Sequence, residues 1–517
     1  MRSRLFLVAA AGVLALALAA AAIGSTSAGS NDVLRVPFLA DMSVPDPDVF
    51  YDIEGNSVIL SVYQGLVKYG PNSTRIVPDL ASSWTISPDQ LTFTFKLRAG
   101  VTFQDGSALT STAVKASLQR RLNVNQAPAY MLADIKRMET PDPLTIRIVL
   151  KRRVGPFMSY LASSWGPKII GPAAIAKNAG KDFGQTYLQT HGDGTGPYKL
   201  TRFDRGSQYV LTRFDGYWGP KPKFRQIVIK IVPDIGTQRL ELQRGDLDAI
   251  LHSFPASELA AAAKDPNLQV LQQSSFLMAL LYVNTNKAPF SSASARATLA
   301  KAIDVPQIVK QVYGVSGSVP AGAYPPGILA GEPRLDYGKA KVDVSKLAKG
   351  HGSIVLGYTA DDSGEQQRAA ELLQAQIGAL GYSVTVKEVQ LPQVYAYVKN
   401  LKGAPDLLLM TNTPDAAHPD TWARIAWDSA GGLNFLGYKN PQVDKLLDRA
   451  QTAPTATANA LYRKVGKLVI ASHEILVVAN VKDTQVVRKD VFGARQSHVP
   501  AYPWMLNYAA LSRRATG

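Results

Sequence analysis

The chain has 517 residues, too many for one hydrophobic core, and at about 150 residues per domain it predicts roughly three units. It is 46% hydrophobic and 19% charged, as ordinary globular proteins are, and has no cysteine; that excludes a thiol nucleophile, thiolate metal sites and a lipid-modified N-terminal cysteine. The formal net charge is +16, but Lys and Arg are scattered. The densest runs are Arg120-Arg121 and Lys151-Arg152-Arg153, with no aromatic interleaving, so the surplus reads as a solvated basic surface and not as a nucleic-acid interface.

In chain order, Arg2 and Arg4 lead into an uninterrupted apolar run over 5–23 and then Gly24-Ser25-Thr26-Ser27-Ala28. That is the order of a secretory signal, with cleavage after Ala28. The run approaches the ~20 residues that span a bilayer, which makes an uncleaved anchor the alternative. Next comes Pro78-Asp79-Leu80-Ala81, then Trp84 and the turn signal Pro88-Asp89. Leu91, Phe93, Phe95 and Leu97 then alternate with Thr92, Thr94, Lys96 and Arg98, the pattern of a half-buried strand in an antiparallel hairpin. A tight Asp105-Gly106 turn closes the stretch.

Gly194-Thr195-Gly196-Pro197-Tyr198 is a small-residue turn entering a strand over 199–203, and Phe214-Asp215-Gly216-Tyr217-Trp218-Gly219 holds two aromatics in another turn. Strands are expected over 226–232 and, after Gly245-Asp246-Leu247, over 248–251. Residues 276–284 form a strand; Pro289-Phe290, Arg296 and Ala302-Ile303-Asp304 belong to the helix that follows. The C-terminal half then alternates. A strand spans 354–358, a helix 366–380 ends at Gly381, strands follow at 383–389 and 406–410, and Asn440-Pro441 opens another helix. That βαβ rhythm argues for an α/β domain.

Taken together and in this order, the motifs from Pro78 to Asp304 resemble the family 5 extracellular solute-binding proteins of ABC importers, the dipeptide- and oligopeptide-binding group. The resemblance runs from about Leu34 to the C-terminus. It implies an α/β, two-lobed periplasmic-binding-protein fold (type II, peptide-binding cluster). Carried onto this chain, the signal peptide is 1–28, and lobe I comprises 29–70, an extra subdomain 71–193, 194–272 and the C-terminal return 480–517. Lobe II is 273–479. Two departures stand out: Thr110-Ser111-Thr112-Ala113-Val114 lacks the Asp that many members carry there, and the lipid-anchoring cysteine of many relatives is missing.

The resemblance also implies where a ligand binds. Loop 410–420 follows a buried strand, where α/β sheets present ligand loops. Dipeptide-binding relatives carry there a Trp and then an Asp that pairs with the peptide ammonium; here Asp415 matches the acid and Asn412 replaces the Trp, with Thr413 between them. Turn chemistry is the structural alternative for Pro414-Asp415. The Arg that meets a dipeptide carboxylate is missing from the segment Thr359-Ala360-Asp361-Asp362-Ser363, which favours a longer peptide or a solute without a carboxylate at that spot. Arg368 nearby reads as a solvated helix residue. In lobe I, Asp46-Pro47 precedes Tyr51, Asp52 and Ile53, positions where relatives pair backbone with an extended peptide. Trp422 is a candidate side-chain pocket wall, with core packing the alternative for it or for Trp427. His418 has no matched ligand partner, so no metal site or cofactor is expected.

The function implied is capture of a peptide-like solute and delivery to an ABC permease, by a non-enzymatic monomer exported to the periplasm or the outer face of the cytoplasmic membrane. Within the family the alternatives are an oligosaccharide, an opine-like compound or a metal chelate. From other classes they are a sensory co-receptor and a secreted hydrolase, for which no G-x-S-x-G or H-E-x-x-H string exists.

Overall fold

The computed structural model describes residues 32–252, 254–336, 350–361 and 363–514; the signal segment 1–28 and Asp362 lie outside the described residues. Two bodies are built on separate sheets. In the first, Val33–Phe38 runs parallel to Gln226–Ile231, which continues antiparallel through Gln208–Arg213 to Tyr198–Asp204. The hairpin strands Ala81–Ile86 and Thr92–Leu97 join Thr145–Leu150 and Ile135–Asp142 in a second four-stranded antiparallel sheet. Phe93, Phe95 and Leu97 are buried on one face, as the alternation requires, while Lys96 is exposed. Helix Ser111–Val124 packs on this sheet. It is capped by Thr110, whose hydroxyl accepts the Ala113 N–H at 3.2 Å, so the missing family Asp leaves a sound N-cap.

The second body is a six-stranded sheet in the order Gly317–Ser318, Ile475–Val481, Met278–Val283, Leu407–Asn412, Ser353–Thr359, Ser383–Val389. Both faces are covered, so its central strands carry near-continuous apolar runs, Met278–Val283 and residues 407–410. Leu280, Tyr282, Leu408 and Met410 meet Pro419–Trp427, Pro441–Thr452 and Thr455–Ser472 on one side. Ala279, Leu281, Leu407 and Leu409 meet Ala293–Ala302 and Glu365–Gly378 on the other. Helix Pro441–Thr452 starts where its signals place it, with the Asn440 side chain accepting the N–H groups of Gln442 and Val443.

The bodies are joined by adjacent crossings. Gln273 pairs with Asp483 at the end of a three-stranded sheet (Ala249–Ile250, Asp483–Arg488, Leu268–Gln273), and Met278 pairs with Asn480 at the start of the six-stranded one. Between them the Ser275 hydroxyl donates to the Val481 carbonyl (2.6 Å) and Val481 N–H to the Leu277 carbonyl (2.9 Å). Among the described residues no helix is long and apolar enough to cross a membrane.

One expectation is corrected. Arg120-Arg121 is not solvated surface: the side chains are 2% and 0% exposed. Arg120 clasps Asp46 with both terminal nitrogens (2.9 and 2.6 Å) and reaches Asp48 (2.6 Å). Arg121 donates to Asp48 (2.8 Å) and to the Trp165 and Pro47 carbonyls. Two carboxylates on the 46–48 turn need cationic donors if they are to be buried, and two consecutive arginines supply them. Arg368, by contrast, is exposed.

Candidate ligand-binding site

The two bodies meet around loop 413–418, which leaves the C-terminal end of strand Leu407–Asn412. Asp415 is 8% exposed, and its Oδ2 accepts hydrogen bonds from Tyr51 (2.6 Å) and Tyr130 hydroxyls, both on the opposite body. Burial raises its pKa, and the two hydroxyls partly oppose that shift. Both tyrosines are in turn pushed up, first by burial and then by the adjacent carboxylate. Among the described residues no hydrogen bond reaches Oδ1, and no cation pairs with this carboxylate.

The same loop is docked by its backbone. The Ser163 hydroxyl donates to the Asp415 carbonyl (2.5 Å), and Ala417 N–H donates to the Tyr69 hydroxyl (2.9 Å). Nearby, Arg152 reaches the Gln451 side chain (2.6 Å) and Gly155 N–H the Gln451 carbonyl (2.9 Å). Burial pushes the His418 imidazole down to about 4, so it is neutral at pH 7. Its Nδ1 accepts the Asp420 N–H (3.1 Å), capping the helix that follows.

The other predicted residues divide. Asn412 is buried and donates to the Tyr282 hydroxyl (3.0 Å). The Thr413 hydroxyl is enclosed and has no hydrogen-bond partner among the described residues. Asp52 shapes its own loop: Oδ2 accepts Ser43 N–H (2.9 Å), Oδ1 accepts Gly55 N–H (3.3 Å), and its carbonyl accepts the Trp165 indole N–H (2.8 Å). Burial raises the Asp52 carboxyl. Ile53 packs against the core of its own body. Trp422 is fully buried in the other core, where its indole N–H donates to the Ala323 carbonyl (3.0 Å), and Trp427 lies beside it. The core alternative therefore describes both tryptophans. Sequence reasoning missed Tyr130, Ser163 and Tyr69. They lie 285, 252 and 348 residues from their partners, and no local pattern marks them.

The sequence model of the bacterial extracellular solute-binding proteins, family 5 (middle), matches residues 75–434. A probable D,D-dipeptide-binding periplasmic protein of Escherichia coli (strain K12) is 30% identical over 473 residues, covering 89% of this chain and 90% of its own. A glutathione-binding protein of the same strain is 28% identical over 468 residues, covering 87% and 89%. The crystal structure of NikA from Brucella suis with Fe(III)-EDTA shares the fold with a TM-score of 0.83 at 22% identity, covering 93% of this chain and 100% of that one. The chain belongs to family 5 of the bacterial extracellular solute-binding proteins and has their two-lobed type II fold. It is a solute-binding component of an ABC importer and not an enzyme.

Proposed function

We propose that the solute is a short peptide or peptide-like amine, held between a lobe formed by 29–272 with 480–517 and a lobe formed by 273–479. The strand crossings beside Gln273 and Asn480 support those boundaries, and the separate sheet over 81–150 supports an extra subdomain within 71–193. Asp415 receives the ligand ammonium, Asn412 and Thr413 line its approach, and the stretch Tyr51-Asp52-Ile53 flanks the ligand from the other side. The protein is exported through segment 1–28 and works as a monomer that hands its cargo to a membrane permease.

The observation that carries this reading is the Asp415 carboxylate, enclosed between the lobes with hydroxyls and, among the described residues, no cation against it. A buried carboxylate lacking a counter-charge is costly, and an ammonium brought by the ligand removes that cost. The names of the two relatives, a D,D-dipeptide binder and a glutathione binder, agree in chemistry. Thermal-shift screening of pooled di- to hexapeptides should raise the unfolding temperature. Asp415→Asn should weaken the best ligand by about 2 kcal/mol or more, roughly thirtyfold in Kd. No shift with any pool would defeat the peptide assignment.

A further inference from the structure

Beside the crossing strands lies a cavity between the lobes, of about 70 Å³. Tyr313, Ser316, Asp361 and Glu365 approach it from one lobe, Thr484 and Trp504 from the other. Tyr313, Ser316 and Thr484 are 1%, 4% and 8% exposed, and their hydroxyls have no hydrogen-bond partner among the described residues. Neither does Asp361 Oδ1, although Oδ2 accepts Gln366 N–H (3.2 Å). So many enclosed polar atoms without protein partners is uncommon in a native protein and marks a place completed by water or by a bound group.

The charges say what that is. Glu365 is 7% exposed, and burial with the adjacent Asp361 charge holds its carboxyl up at about 8; burial holds Asp361 at about 6. After burial, the same two carboxylates raise the Tyr313 hydroxyl further. Arg368 opposes these shifts from an exposed position. Lys482 borders the cavity, with its Nζ donating to the Val315 carbonyl (3.0 Å). An anion is disfavoured here by two carboxyl groups, whereas a cation would relieve both and meet the hydroxyl oxygens.

We propose that this cavity receives a second cationic head group of the solute, an alkylammonium or guanidinium, so that the protein selects basic peptide-like solutes. The proposal rests on the peptide reading above for its first anchor, Asp415. It assigns the segment around Asp361, where a dipeptide carboxylate has no Arg to meet, to a positive group instead.

The test is isothermal titration of the full-length mature protein with Ala-Ala, Ala-Lys, Ala-Arg and agmatine, which has a guanidinium and an ammonium but no peptide bond or carboxylate. Ala-Lys or Ala-Arg should bind at least tenfold tighter than Ala-Ala. Glu365→Gln should cut that ratio below threefold, and the isosteric Thr484→Val should weaken the basic dipeptide at least threefold. Ala-Ala binding as tightly as the basic dipeptides, or an undiminished ratio in Glu365→Gln, would overturn the cation subsite and leave the peptide reading standing. Agmatine binding that depends on Glu365, with no dipeptide bound, would uphold the subsite and sink the peptide reading. No binding by any of the four would overturn the cation subsite, while the peptide reading falls only if the di- to hexapeptide pools also give no shift.

Discussion

Asp46, Asp48, Arg120 and Arg121 form a sealed charge cluster beneath the turn that leads to Tyr51. Burial raises the Asp46 carboxyl, and the Arg120 hydrogen bonds oppose that shift by favouring the charged form. Deleting one member of such a cluster leaves an uncompensated buried charge. Arg120→Ala should cost about 3–5 kcal/mol of stability, measurable by urea denaturation of the ligand-free protein. A loss under 1 kcal/mol would show that water enters and solvates the carboxylates. The pairing also marks where sequence reading stops at this scale. The family resemblance marks Asp46-Pro47 as the lead-in to Tyr51-Asp52-Ile53, yet two adjacent arginines look the same on a surface and in a core. Their partners lie 72 to 74 residues away, and only the folded chain shows which case holds.

The motifs that identify the family are segments that pack on one another. Gln64 accepts hydrogen bonds from Thr195 of the Gly-Thr-Gly-Pro-Tyr turn (3.1 Å) and from the Trp218 indole (2.9 Å), and it donates to Asp79 beside the hairpin (2.7 Å). Arg98 at the hairpin's end stacks over Trp218 and donates to the Asp79 carbonyl. The turn must lie flat on helix Asn56–Val62: a Cβ on Gly196 would stand 2.4 Å from the Ser61 carbonyl oxygen. Gly196→Ala should therefore destabilise by about 1–3 kcal/mol through overpacking. Gly378→Ala, in a helix and with nothing within 4 Å of its Cβ, should stabilise by about 0.5–1 kcal/mol. Denaturant melts of the two variants should move in opposite directions. Strands and helix caps of this kind were legible because they rest on neighbours in sequence: the alternation from Phe93 to Leu97, the Asn440 cap, the buried run at 407–410. Strand partners were not. Thr92–Leu97 pairs with Thr145–Leu150 across an intervening helix, and that register depends on contacts that local spacing does not encode.

Across the molecule, the bonds from Tyr51 and Tyr130 to Asp415 exist only while the lobes touch, so they bias the chain toward the closed arrangement even before a ligand arrives. A conformational equilibrium shifts only by what differs between its states. Tyr51→Phe combined with Tyr130→Phe removes these two bonds and leaves those made by Ser163, Tyr69, Arg152 and Gly155 in place. Small-angle scattering of the ligand-free double variant should give a larger radius of gyration than the parent chain. Superimposable curves would show that the hydroxyls contribute nothing to closure. Loop position and family resemblance single out Asp415 and Tyr51 as candidates but not the bond between them, and Tyr130 enters from a short 3-10 turn with no signature.

The crossings set the form of that motion. Two strands lie side by side from Gln273 and Asp483 to Met278 and Asn480, laced by the Ser275 and Val481 bonds and held at the flank by His498 on the Ser274 carbonyl (2.8 Å). A pair of rails fastened in this way acts as a flat leaf spring, compliant to bending across its width and stiff to shear and twist. The molecule then has a single coordinate, one angle, by which to report whether it is loaded. A membrane partner able to gauge the separation of the two lobes would read that angle without touching the cargo.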